Sequence, residues 1–151
     1  MTIVLDTFPA SSTAKKPEDQ LTLLDQCRRW VTDCEVAGHR IVVPAIAYYE
    51  VLRELELVRA KQQIERLQDY CLRSHRFIPI TTSHLEVAAK LWAQVRKSGL
   101  PTADRHALDG DVILAAQALS LDQPSTEFVI ATTNPGHISR FVPAIHWSEI
   151  L

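Results

Sequence analysis

Five residues spread along the chain have side chains suited to holding a hard cation: Asp6, Glu50, Asp109, Asp111 and Asn134. Carboxylate and carbonyl oxygens suit Mg2+ and Mn2+, and no Cys or His pair with ligand-type spacing accompanies them. Carboxylates brought together repel one another unless a divalent cation neutralises them. Magnesium is usually held by one or two protein carboxylates, while waters and a substrate phosphate supply the remaining oxygens. A site built mainly from acids therefore points to phosphate chemistry. The cation can lower the pKa of a bound water, polarise a phosphoryl oxygen and stabilise a leaving alkoxide, so no covalent nucleophile is required.

Such residues matter only if the elements carrying them converge. Asp6 ends the apolar run Ile3-Val4-Leu5, which reads as a short buried strand. Thr7 to Lys16 reads as a loop, and a helix is expected from about Pro17 to Gly38, with Leu24, Cys27, Val31 and Cys34 on one face. Ile41-Val42-Val43 is a second strand closed by Pro44. A helix over 45–57 carries Glu50, and another near 60–73 presents Ile64, Leu67 and Cys71. Phe77-Ile78-Pro79-Ile80 suggests an edge strand, because proline cannot donate to a ladder. Ser83-His84-Leu85-Glu86 fits a capping box opening a helix that runs to about Ser98, with Gly99 as its stop. After a loop over 101–108, Asp109 and Asp111 open a small-residue helix over 110–121, where the helix dipole favours acids. Strands over 127–131 and 144–147 follow, and Asn134 lies just past the first of them. Strands alternating with helices imply one α/β domain over residues 1–151 with a largely parallel sheet, and ligands in such folds gather at the carboxyl edge of the strands.

Composition agrees with a globular chain of this size. The 151 residues are 46% apolar and 23% charged. No apolar stretch reaches the roughly 18 residues a membrane span needs, and no signal-peptide pattern opens the chain, so a cytoplasmic location is expected. Cys27, Cys34 and Cys71 read as buried packing residues. The net charge of −2 argues against bulk non-specific nucleic-acid affinity. From Ala107 onward there are five acids and one base, Arg140, so the basic residues flank an acidic end of the sequence.

Taken singly, each of the five has a plain structural explanation: Asp6 a turn or cap, Glu50 a solvated helix residue, Asp109 an N-cap, Asp111 a first-turn acid, Asn134 the turn before Pro135-Gly136. Their order on four successive elements carries the signal. Ile3-Val4-Leu5-Asp6-Thr7, Val43-Pro44-Ala45-Ile46-Ala47-Tyr48-Tyr49-Glu50, Leu108-Asp109-Gly110-Asp111-Val112-Ile113-Leu114-Ala115-Ala116-Gln117-Ala118 and Ala131-Thr132-Thr133-Asn134-Pro135-Gly136-His137 together resemble the four motifs of PIN domains. Within that family the VapC-like toxins are the nearest in pattern.

The resemblance implies a three-layer α/β/α sandwich and a Mg2+- or Mn2+-dependent endoribonuclease, the toxin of a toxin–antitoxin pair. It further implies RNA as substrate, a separately encoded antitoxin as protein partner, and a homodimer. Asp6 matches the first acid and Glu50 the second. Asp111 is the better match to the third, with Asp109 its competitor, and Asn134 falls where members carry Asp or Asn. Asp6 and Asp111 would then ligate the cation, with Glu50 ligating it or orienting the attacking water. The products would be a 5′-phosphate and a 3′-hydroxyl. Two departures stand out: Phe8 where members commonly have a polar residue, and Asn134 with one charge fewer. They motivate the alternative of a weakened or inactive PIN-like domain that binds nucleic acid or protein.

His106 and His137 are candidate proton donors or phosphate contacts, and Arg53 and Arg105 candidate phosphate contacts. Each is more simply explained as an ordinary loop or surface residue. Trp30, Trp92 and Trp147 fit packing better than base stacking. A haloacid-dehalogenase-type phosphatase would need a second acid two residues after Asp6, and nucleotide-binding glycine patterns are absent.

Overall fold

Five short apolar runs pair side by side into a wholly parallel sheet. A computed structural model describes residues 1–16, 22–72, 75–99, 105–121 and 127–151, excluding the side chains of Arg105 and His106. Strand β1 (Thr2–Leu5) lies at the centre, paired with β2 (Arg40–Pro44) on one side and β4 (Phe128–Thr132) on the other. The edges are β3 (Phe77–Ile78) and β5 (Ala144–His146), giving the order β3-β2-β1-β4-β5. All pairings are parallel, and β3 is an edge strand as Pro79 suggested.

Alternation along the strands sorts the core into two faces. Ile3, Leu5, Ile41, Val43, Val129 and Ala131 point to one side. There they meet α2 (Leu23–Val36), α3 (Ala45–Leu57) and α4 (Lys61–Leu72) through Cys27, Val31, Cys34, Val51, Leu67 and Cys71. Val4, Val42, Phe128 and Ile130 point to the other side, against Leu114, Ala115 and Ala118 of α6 (Arg105–Leu119) and Ile138 of α7 (Pro135–Ile138). Helix α5 (Thr82–Lys97) packs on α6 through Ala88, Val95, Leu108, Val112 and Ala116. The result is the expected α/β/α sandwich. The three cysteines are free and buried in its core. Trp30 and Trp147 pack with ring centroids 5.7 Å apart, and the Trp30 Nε1–H donates to the Ile150 carbonyl at 2.9 Å, tying down the last residues.

Several local expectations are corrected. The segment read as a loop after Asp6 contains a helix, α1 (Thr7–Ser12). Its Ser and Thr side chains donate back to carbonyls three residues earlier, Ser11 to Phe8, Ser12 to Pro9 and Thr13 to Ala10, so a polar composition that favours turns here closes a helical one. Helix α2 begins at Leu23, capped reciprocally by Thr22 and Asp25; the expected start at Pro17 lies outside the described residues, as does the expected end of α4 at Arg73. The capping box of α5 is formed by Thr81 and His84, not by Ser83 and Glu86. Helix α6 starts at Arg105, so the loop expected up to Leu108 is shorter; residues 101–104 lie outside the described ones. Leu108 is buried against α5 one turn before Val112, which extends the helix backwards past Gly110. Asp109 and Asp111 therefore sit within α6 and its first turn carries no acid, so the dipole argument for them falls.

Among the described residues no helix is long and apolar enough to cross a membrane.

Candidate functional site

Because β1 and β4 are adjacent and parallel, their carboxyl ends emerge together. Asp6 follows β1 directly, and its backbone N–H donates to the Ala131 carbonyl at 3.0 Å. Both its carboxylate oxygens are held: Oδ1 accepts from the Thr7 N–H at 2.7 Å and Oδ2 from the Thr132 hydroxyl at 2.6 Å. Asp6 is thus the N-cap of α1, with its orientation set from two sides.

Helix α3 brings Glu50 over the same edge. Its N-cap, Pro44, offers no side-chain acceptor. Gln117, fully buried on α6, accepts from the Ile46 N–H at 3.2 Å and donates to the Ile78 carbonyl at 2.8 Å. One side chain thereby caps α3 and registers α6 against the sheet. The Glu50 carboxylate accepts from the Thr7 hydroxyl at 3.1 Å. On the other flank, a Cβ added to Gly110 would stand 2.9 Å from Glu50 Oε1. Only a glycine lets α6 pass this close to that carboxylate without displacing it.

Asp6, Glu50, Asp109 and Asp111 line one cleft of about 810 Å3, together with Thr7, Phe8, Arg53, Gly110 and Thr133. Asn134 is exposed at the start of α7, its backbone N–H donating to Thr132 Oγ1 at 3.1 Å, and it is not among the residues lining the cleft. His137 approaches Asp111 with Nδ1 4.0 Å from Oδ2. Arg105 and His106 have side chains outside the described residues.

Electrostatics single out two of the acids. Burial pushes the Asp111 carboxyl up to about 6, the Asp6 and Glu50 charges push the same way, and His137 and Arg140 pull back. Burial likewise raises Glu50, with Asp6 adding to the rise and the Thr7 hydrogen bond and Arg53 opposing it. Carboxyls raised by burial and by each other are what an uncompensated acidic site produces. A cation would relieve that strain.

Among the described residues, however, no three His, Cys, Asp or Glu side chains stand close enough to enclose an ion. The donor set fits a hydrated Mg2+ or Mn2+ held by one or two carboxylates, with water and phosphate filling the open positions, and not a closed cage.

Sequence reasoning missed Thr7, Thr132, Gly110 and Gln117 as parts of the site. Thr7 adjoins Asp6 and Gly110 separates two of the acids, so position in the motifs was a signal for them. Thr132 and Gln117 act across long sequence separations that only strand adjacency and helix packing reveal.

The PIN domain family model matches residues 21–142, most of the chain but not Asp6. No curated protein matches. Among solved structures, the fold is similar to a chain in FitAB bound to an IR36 DNA fragment, with TM-score 0.69, 17% identity, and coverage of 99% of this chain and 97% of that one. A chain of VapBC2 from Rickettsia felis, bound to a DNA fragment from their promoter, aligns with TM-score 0.68 and 15% identity over 97% of this chain and 99% of that one. VapBC-1 from nontypeable Haemophilus influenzae aligns with TM-score 0.62 and 19% identity over 99% and 100%.

Proposed function

The chain belongs to the PIN domain family, and from that premise we propose that it is a Mg2+- or Mn2+-dependent endoribonuclease acting as the toxin of a toxin–antitoxin pair. The observation that carries this reading is the convergence of Asp6, Glu50 and Asp111, from a strand end and two helices, on one cleft. Each is held or electrostatically loaded by its neighbours.

In this proposal Asp6 and Asp111 hold the cation and Asp109 stands beside it. When bound, the cation supplies charge neutralisation and Lewis acidity toward a phosphoryl oxygen. Thr132 and Thr7 fix the Asp6 carboxylate, and Thr7 also steadies Glu50. Glu50 accepts a hydrogen bond from the attacking water and sets its line of approach. The water's oxygen joins phosphorus as it gives up a proton to solvent, the bond to the 3′ oxygen breaks, and that oxygen takes up a proton, so the products carry a 5′-phosphate and a 3′-hydroxyl. The similarity to chains of FitAB and VapBC supports a protein antitoxin as partner. A homodimer working in the cytoplasm completes the proposal.

Incubating the purified protein with single-stranded RNA in Mn2+ or Mg2+ tests it. Cleavage should stop in EDTA and fall by at least about 100-fold in Asp6→Asn and in Asp111→Asn. Full activity in the double variant would sink the assignment.

A second reading is a PIN-like domain that binds RNA or protein without turnover. Phe8 two residues after Asp6, and Asn134, which carries no charge and is not among the residues lining the cleft, favour it. Calorimetry showing no Mn2+ uptake at millimolar metal, with RNA binding intact, would select this second reading over the first.

A further inference from the structure

The cleft is larger and less polar than an ion and a phosphate require. Its volume of about 810 Å3 falls in the roughly 300–1,000 Å3 range of clefts that enclose whole organic ligands. Beyond the acids, one wall is built by Phe8 and Ser11 of α1 with Val51 and Leu55 of α3. Phe8 packs against the core on one side and remains partly open to the cleft on the other. It stands two residues after Asp6, and both line the same cleft.

Arg53 and the acid Glu54 both line the cleft beside that wall. Arg53 lines the cleft one turn beyond Glu50, near enough to oppose the rise in the Glu50 carboxyl. Its guanidinium sits 5.4 Å from the Tyr49 ring centre and 3.9 Å from Glu54, which holds it along the helix.

We propose that Phe8 and Leu55 form a subsite for the nucleobase next to the scissile phosphate, with Arg53 facing the neighbouring phosphate of the same single strand. Three features fit that occupant. The π-face of a base stacks on an aromatic side chain whatever its sequence. The phosphates on either side of that base require a cation, and Arg53 supplies one. The wall is continuous with the acids, so a base seated there places its own phosphodiester at Asp6 and Asp111. The assignment explains why an aromatic residue occupies position 8, and it rests on reading the acidic cleft as a ribonuclease site.

The experiment compares two labelled oligoribonucleotides, identical except that one carries an abasic ribose beside the cleaved linkage. Removing the base should lower kcat/KM of the unaltered protein in Mn2+ by about 10- to 100-fold. Phe8→Leu, which keeps an apolar side chain without the π-face, should cleave the intact oligonucleotide more slowly and discriminate far less between the two. Phe8→Ala should repeat the pattern, and its melting temperature reports whether it folds. Anisotropy titrations of both oligonucleotides on Asp6→Asn, with and without Phe8→Leu, read the same preference without cutting. Absence of cleavage by the unaltered protein would count against the ribonuclease reading alone, and the titrations would then decide the subsite. Equal loss on removing the base in the unaltered protein and in the Phe8→Leu variant would overturn the subsite.

Discussion

Asp111 should make the metal-free protein less stable than its isosteric, uncharged variant. Its side chain is 23% exposed, and its carboxyl is displaced from the ordinary 3.8 to about 6 by burial first and by Asp6 and Glu50 next. The folded protein therefore binds a proton more tightly at this position than the unfolded chain does. Stability from this group is fully present below about pH 4 and is lost as pH rises through about 6, the reverse of a salt-bridged aspartate. The displacement corresponds to about 3 kcal/mol. Asn cannot ionise, so Asp111→Asn should recover about 2–3 kcal/mol above pH 6.5, or about 5–10 °C in melting temperature for a chain of this size. Urea unfolding in EDTA at a series of pH values from 4 to 8 measures it: the two proteins should converge near pH 4 and separate with rising pH. Added Mn2+ should reverse the order, because only the carboxylate binds it well. A variant no more stable than the parent at pH 7.5 in EDTA would refute the reasoning, since burial would then not be acting on a charged group.

Gly110→Ala should separate activity from stability. Its methyl would meet Glu50 Oε1 at 2.9 Å and turn that carboxylate away, lowering RNA cleavage by about 10-fold or more, while alanine in mid-helix adds up to about 1 kcal/mol; a thermal melt and a rate assay on one preparation test both halves. Thr132→Val removes the donor to Asp6 Oδ2 and should weaken Mn2+ binding about 10-fold, read by calorimetry; an unchanged affinity would show that Thr7 alone holds Asp6. Gln117→Met leaves the Ile46 N–H and the Ile78 carbonyl without their partner and should cost about 2–3 kcal/mol in urea unfolding. Arg76→Met strands Glu35, whose Oε1 lies 2.6 Å from Arg76 Nη2 and accepts from Tyr70 at 3.0 Å, so a loss of about 2 kcal/mol is expected; a midpoint within error of the parent would mean that the Arg76 guanidinium, 3.9 Å from the Tyr70 ring centre, contributes nothing net.

The three central strands were legible because each carries a continuous apolar run, the composition of a strand buried on both faces. Helix ends were less so. The start of α6 is expected at 110 because Asp109 and Asp111 suit a helix N-terminus, yet Gly110 lies inside the helix and gives the clearance Glu50 needs. Thr7 to Lys16 looked like a loop because hydroxyl side chains favour turns, until the bonds of Ser11, Ser12 and Thr13 to carbonyls three residues back are seen. In both places local propensity conflicts with the observed element, and both border the cleft. Such conflicts are expected where a position serves the site and not the element.

The same logic explains which parts of the site a sequence can reveal. The acids were visible through their order on successive elements, although each alone has a plain structural explanation. The groups that orient them were not, because a threonine in a strand and a glutamine in a helix are ordinary until the partner across the fold is known. Thr132 reaches Asp6 only because β4 lies beside β1, and Gln117 reaches Ile46 only because α6 crosses the end of β2. Gln117 and the two threonines hold the acids in positions whose charge the metal-free fold tolerates poorly. Asp111, partly buried and raised to about 6, is then the point where stability and cation affinity pull in opposite directions, and one substitution there should move them oppositely.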